Sequence, residues 1–335
     1  GVWVTEQQKS AIILTNTDET TASVTLSIYS ETGPLQVQGL RQIPVNRYET
    51  RTIDLNTFFT DAGVTADKPV AVVLKAETGR VMSYLRSEGE FGQDWRQSSV
   101  APSSELVVPG VPAVQGEGEG ATRYLFITNH GDETARVQVL GQGSGAAVPL
   151  AGSGETVESE ETSVGGLILR ARTTTVLDLS AALAGETIGV ILHSVGYREG
   201  DTAQAISAAL VVVGTDMGSV AAQPAMSGGM RVPVVKDASL IVTNPSEEAA
   251  VVALTLRDKE GNETGTDEVQ VNPGTASIAL GEEAASVDIE VRGDGVRMVL
   301  FVPQIGDTEG LIVAPLGAGG ATGLNVTLGY DPTLG

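Results

Sequence analysis

Cysteine is absent from this chain of 335 residues. That excludes disulfide staples, thiolate zinc centres and cysteine nucleophiles, and it leaves the compartment open. Histidine is nearly absent as well: His130 and His193 are the only two, and neither has a spaced His or carboxylate partner of the kind metal ligation requires. Aromatic residues are 4% of the sequence, so aliphatic side chains must fill whatever cores form. Basic residues are outnumbered, 20 against 42 acidic ones, for a net charge of -22. A surface this negative repels phosphate backbones and anionic headgroups, so nucleic acid and bare lipid are poor partners. No apolar run reaches the ~20 residues that a membrane-spanning helix needs. The opening Gly1-Val2-Trp3-Val4 has no basic stretch before an apolar one. The expectation is that any membrane attachment runs through an N-terminal anchor missing from this chain.

Catalytic signatures are equally scarce. No Gly-x-Ser-x-Gly elbow occurs. Gly116-Glu117-Gly118-Glu119-Gly120 has the glycine spacing of a phosphate loop but no lysine, and its two carboxylates would repel phosphate. The acidic stretch within 141–166 lacks the alternating Asp/Asn ligands of a calcium loop. The reading is therefore a protein that is not an enzyme, with no cofactor and no metal.

What the chain does have is repetition. Three times an apolar run ends in Thr-Asn, an acidic turn follows, and then alternation begins: at Asn16, Asn129 and Asn244. Val24, Leu26 and Ile28 alternate with Thr25 and Ser27, and Val252, Leu254 and Leu256 with Ala253 and Thr255. This period of two marks strands with one buried face. An Asn side chain bonds a backbone N–H two residues on and tolerates a left-handed backbone, so the three Asn residues read as structural turns between antiparallel strands. Further landmarks recur in register: Thr50–Leu55, Thr174–Leu179 and Thr275–Leu280, then an Asp followed by a Pro at Asp94 and Pro102, Asp216 and Pro224, Asp307 and Pro315. Val, Ile, Leu and Thr with 41 glycines are the usage of short strands joined by turns.

These observations predict an all-β protein of three tandem immunoglobulin-like β-sandwich repeats of about 110 residues each. The repeats divide as 1–105, 106–229 with an acidic Gly/Ser/Glu loop over 141–166, and 230–335. The alternative is three sheets closed into a pseudo-threefold ring in which first and last strands meet. Short connections predict closely coupled repeats. Leu106-Val107-Val108 and Met230-Arg231-Val232 are boundary strands that belong either to the repeat before or to the repeat after. Phe58 and Phe59 are expected in a loop that plugs one end of the first sandwich, and Val81–Leu85 is expected to form a hairpin with the strand before it.

The candidate contact site is the segment Phe91, Asp94, Trp95 and Arg96. An exposed Trp beside Arg and Asp is the mix found at binding hot spots, and an aromatic face stacks on sugars. The alternative is that Trp95 caps the sandwich, with Met217 in the equivalent place of the second repeat.

The stretch from Thr243 to Val252, the segment from Asp94 to Pro102 and the run Val107-Val108-Pro109-Gly110-Val111-Pro112 together resemble an uncharacterised actinobacterial cell-envelope family, known only as a domain of unknown function. The resemblance implies an exported protein, extracytoplasmic in the cell envelope or secreted, held by an N-terminal membrane segment. It also implies a role beside glycan-building membrane glycosyltransferases, and it supplies no catalytic residues. The functional expectation is a non-catalytic scaffold or accessory subunit that binds a cell-envelope or membrane protein. A glycan-binding module is the alternative.

Overall fold

The computed structural model describes residues 2–316, apart from 5–8, 38, 62, 65–67, 90–91, 98–100, 111–121, 146, 151–165, 181, 184–186, 214–216, 224, 227, 235–236, 282–283 and 306–307. The protein is a β-sandwich protein with one helix among the described residues.

In chain order the first part contains β1 (Val2–Val4), β2 (Lys9–Asn16), β3 (Ala22–Ser30), β4 (Gly33–Leu35), β5 (Ile43–Val45), β6 (Thr50–Asp54), α1 (Leu55–Asp61), β7 (Lys68–Thr78), β8 (Val81–Gly89) and β9 (Gly92–Gln97). The second contains β10 (Glu105–Val108), β11 (Thr122–Asn129), β12 (Ala135–Gln142), β13 (Val148–Pro149), β14 (Leu167–Leu169), β15 (Thr174–Asp178), β16 (Gly189–Gly196), β17 (Ile206–Val213) and β18 (Met217–Ala221). The third contains β19 (Gly228–Pro233), β20 (Ser239–Asn244), β21 (Ala250–Arg257), β22 (Glu263–Val271), β23 (Gly274–Ala279), β24 (Ser286–Arg292), β25 (Arg297–Ile305) and β26 (Thr308–Leu316).

These strands form six antiparallel sheets. One kind, here the outer sheet, has the orders β1-β7-β3-β4, β10-β16-β12-β13 and β19-β24-β21-β22. The other, the inner sheet, has the orders β6-β2-β8-β9, β15-β11-β17-β18 and β23-β20-β25-β26. Each inner sheet faces an outer sheet across an aliphatic core. Ile12 and Leu14 meet Val24, Leu26 and Ile28; Leu125 and Ile127 meet Val137 and Val139; Leu240 and Val242 meet Val252 and Leu254. The alternation read from the sequence is thus the alternation between core and outside.

Several expectations change. Each Asn turn joins strands of different sheets, since β2 lies in the inner and β3 in the outer sheet, and likewise for β11 and β12 and for β20 and β21. The motif is an arch over the end of the sandwich, not a hairpin. β7 and β8 also belong to different sheets. Their connection passes Gly79 at φ 75°, where a Cβ would stand 2.8 Å from that of Ala22. The boundary strands belong to the sandwich that follows: β1 pairs with β7, β10 with β16 and β19 with β24. Among the described residues β1 pairs with β7, and 317–335, the other side of a closed ring, lie outside the described residues.

Phe58 and Phe59 stand on α1 rather than in a loop. Asp54 Oδ1 accepts the Asn56 N–H at 2.9 Å, the bond of an N-cap residue, and Leu55 and Phe59, four apart, are both buried. The loop expected over 141–166 begins as strand: Gly141 and Gln142 end β12, and β13 and β14 both pair with β12, while 151–165 lie outside the described residues. β22 runs unbroken along β21, where the first and second sandwiches have two short strands each. The insertion thus interrupts an edge strand, where extra residues disturb no ladder on a second side.

Candidate functional site

The three Asn residues are among the most deeply buried polar side chains, at 1% exposure for Asn16 and 0% for Asn129 and Asn244. Each Oδ1 accepts the N–H two residues on, from Asp18 at 2.9 Å, Gly131 at 2.9 Å and Ser246 at 3.1 Å. Each Nδ2 donates to the carbonyl four residues on, of Thr20, Glu133 and Glu248, at 2.7 to 2.8 Å. The same Nδ2 also reaches a distant edge strand. Asn16 donates to Val45 and Asn46 O, Asn129 to Leu169 and Arg170 O, and Asn244 to Val271 O. Asx-turn geometry thereby becomes a clamp between the two sheets.

The predicted contact segment is divided by its backbone. Phe91 lies outside the described residues, and Asp94, Trp95 and Arg96 lie on the edge strand β9, not in a loop. Trp95 stands opposite Arg86 and Ala11, in the row two residues from Ile13 and Tyr84. Asp94 and Arg96 stand opposite Ser87 and Leu85, in the alternate rows of Ser10 and Ile12. Register also makes Ser219, not Met217, the counterpart of Trp95: Ser219 pairs with Val211, as Trp95 pairs with Arg86.

The structure brings together residues that the sequence reading left apart. Thr15, Thr128 and Thr243 precede the three Asn residues. Each shares a hydroxyl–hydroxyl hydrogen bond of 3.1 Å with Thr50, Thr174 or Thr275 across the inner sheet. In the second and third sandwiches this pair is covered by the outer sheet of the preceding sandwich. Thr275 Oγ1 donates to Gln142 O at 2.7 Å and accepts from Gly189 N at 3.0 Å. Gly189 has to be small, because a Cβ there would stand 2.6 Å from Thr243 Oγ1 and 2.8 Å from Thr275 Oγ1. Ile241, Val299 and Phe301 of the third sandwich join the apolar cluster of the second.

The contact between the first and second sandwiches follows the same plan. β15 packs on β7 and β3, Thr128 and Thr174 are buried, and buried Ala71 stands opposite Tyr29 as Gly189 stands opposite Gln142. His130 sits in this contact, with Nε2 at 2.8 Å from Ser207 Oγ and its ring 6.1 Å from that of Tyr29. Burial pulls its pKa down to about 4, so the ring is neutral at pH 7. The inner edge strand β18 also lies against both β9 and β26.

The outer sheet of the third sandwich is different in kind. Arg257 and Ser286 pair there as Gln142 and Gly189 do in the second sandwich. Where the second has buried Val107 opposite Ile191, the third has Arg231 opposite Asp288. Asp288 accepts from Arg231 and, at 2.6 Å, from Arg257. The hydrogen bond from Arg231 leads the causes that hold its carboxyl at about 2. Among the described residues no group of three acidic or histidine side chains is placed to hold a metal ion, and no helix is long and apolar enough to cross a membrane.

No curated protein matches the chain. Among solved structures it is similar to the pilus backbone RrgB from Streptococcus pneumoniae, at 12% identity over 70% of this chain and 79% of that one, with a TM-score of 0.15. The full-length RrgB pilus protein is similar at 12% identity over 88% of this chain and 58% of that one, also with a TM-score of 0.15. Residues 2–280 match the model of a family of unknown function, DUF5719, and the chain belongs to that family.

Proposed function

We propose that this protein is a non-catalytic extracytoplasmic scaffold or accessory subunit that binds a cell-envelope protein. The observation that carries this reading is the use of its buried polar groups. The three Asn clamps tie sheet to sheet, and Thr275 bonds across to Gln142 and Gly189 of the sandwich before it, so these groups serve rigidity and spacing. The acidic surface suits solubility outside the cytoplasm. The resemblance of Thr243–Val252 and Val107–Pro112 to actinobacterial envelope proteins supports the compartment, and it makes a membrane glycosyltransferase the kind of partner to look for. A glycan-binding role is the second reading, favoured by the place of Trp95 on an edge strand.

The test is affinity purification of the protein from its native envelope, followed by reconstitution with each co-purifying protein. A stoichiometric membrane protein that rebinds the purified chain is the expected result. Turnover of an envelope glycan by the chain alone would overturn the proposal. Retained glycan with no protein would move the weight to Trp95, to be tested by Trp95→Ala on a glycan array.

A further inference from the structure

The crossings from outer to inner sheet differ between sandwiches. In the first, Gly79 and Arg80 alone separate β7 from β8; in the third, Gly293, Asp294, Gly295 and Val296 separate β24 from β25. Gly293 does the work of Gly79. A Cβ on it would stand 3.0 Å from that of Ala250, as one on Gly79 would stand 2.8 Å from that of Ala22. Val296 is buried, and its carbonyl accepts from Met226 N at 2.7 Å. Gly295, at φ 85°, is held by Arg297, whose Nη1 donates to Gly295 O. Packing thus fixes both ends of the crossing and leaves Asp294 exposed between two glycines.

Asp294 is the one aspartate of the chain that precedes a glycine, and no asparagine does. Other aspartates have their carboxylates engaged: Asp54, Asp178, Asp201, Asp258 and Asp288 all accept hydrogen bonds. Among the described residues no hydrogen bond or ion pair engages the Asp294 carboxylate, and no hydrogen bond engages the Gly295 N–H. The Gly295 nitrogen has no Cβ beside it to shield it, and rotation of the Asp294 side chain brings the carboxyl carbon to that nitrogen within one residue.

We propose that Asp294 is a site of spontaneous backbone modification, converted through a succinimide to an isoaspartyl residue. Gly295 N attacks Asp294 Cγ. The N–Cγ bond forms, a carboxyl C–O bond breaks, and the departing oxygen leaves with the amide proton as water. Water then adds to either ring carbonyl. Addition at Cγ restores aspartate. Addition at the main-chain carbon breaks the original peptide bond and leaves Gly295 N on Cγ, which is the isoaspartyl linkage. The product keeps one carboxylate, so the net charge is unchanged. Its main chain passes through Cβ and Cγ and is one atom longer, in a crossing held at Ala250 on one side and at Met226 on the other. The modification accumulates with time, so the third sandwich carries a mark of the age of the molecule. The chemistry is independent of the scaffold reading.

The test incubates the whole folded chain, and Asp294→Glu, in mildly acidic heavy-oxygen water, followed by digestion and electron-transfer fragmentation, which tells the two linkages apart. In wild type the peptide holding residue 294 should gain one solvent oxygen and an isoaspartyl linkage, and a form lighter by one water should precede both. Asp294→Glu should lose all three signals, because the longer side chain closes a less favourable ring. Asp18, Asp237 and Asp267 serve as references: their carboxylates are equally unengaged, but each precedes a residue with a side chain. Equal exchange at those three would overturn the proposal. So would exchange at Asp294 more than about tenfold slower than in the same chain unfolded in denaturant, which would mean that the fold holds the carboxyl away from Gly295 N.

Discussion

Replacing Asn244 by Asp isolates the clamp, because it changes one atom of the side chain and almost none of its volume. In the protein, Nδ2 donates to Glu248 O at 2.8 Å and Val271 O at 3.0 Å, while Oδ1 accepts from Ser246 N and, at 2.8 Å, from Ser246 Oγ. Asn244→Ala removes all four. Two carbonyls that keep a second lone pair lose about 1 kcal/mol each, and the Ser246 N–H loses about 1–2 kcal/mol, for a total of about 3–4 kcal/mol. Asn244→Asp keeps the Oδ1 bonds but sets an anionic oxygen against two carbonyl oxygens, fully buried. Its carboxyl pKa must rise in the folded state, and a rise of two units is worth about 2.7 kcal/mol. The sign follows from linkage: a raised folded pKa means that stability is complete below the unfolded value near 3.9 and is lost as pH rises through the folded one. Hydrogen-exchange mass spectrometry on β20, β21 and β22, relative to wild type at pH 4, 5.5 and 7, reads the effect locally and needs no two-state assumption. Asn244→Asp should be milder than Asn244→Ala at pH 4 and at least as damaging at pH 7. Equal protection at every pH would refute the clamp.

Two further outcomes follow from the contacts between sandwiches. His130, depressed to about 4 by burial, binds its proton later than in the unfolded chain; stability at the first contact is therefore present above pH 6.5 and lost as pH falls towards 4, by roughly 3 kcal/mol, and exchange in β11 and β15 should rise over that window in wild type but not in His130→Gln. Gly189→Val should part the second and third sandwiches by driving a side chain into Thr243 and Thr275, so X-ray scattering should show a larger radius of gyration while the core amides of β12 and β21 stay protected.

The sandwich class was legible because it rests on a local signal. Alternation at Val24, Leu26 and Ile28 needs no knowledge of partners. Which strand pairs with which was not legible, because an arch and a hairpin begin with the same turn residues. The Asn chemistry at Asn16, Asn129 and Asn244 was therefore read correctly as a turn while its neighbours were assigned to the wrong sheet. The helix at Leu55–Asp61 had a visible signal in Asp54 followed by Leu55 and Phe59, outweighed by the strand-rich context. The segment around Trp95 was expected as a loop and is the strand β9, because its pairing with β8 depends on a partner that local sequence does not name. The faces between sandwiches left their trace in plain view, as a Thr before each Asn and a Thr opening each following landmark. Only the fold shows that these threonines meet.

The three sandwiches also serve as an internal comparison, and what they share separates from what they do not. Asn clamps and Thr pairs occur in all three, at 3.1 Å for every Thr pair, although one pair is exposed and one is buried. The edge strand beside β3, β12 and β21 differs each time: two short strands in the first sandwich, two flanking 151–165 in the second, and one unbroken strand in the third. The outer face varies too, from Val107 opposite Ile191, which is covered, to Arg231 opposite Asp288, which is open to solvent. Burying the second arrangement as the first is buried would desolvate three charges, and ion pairs rarely recover that loss. A stack needs such a polar face where it meets water, as the end units of repeat arrays do.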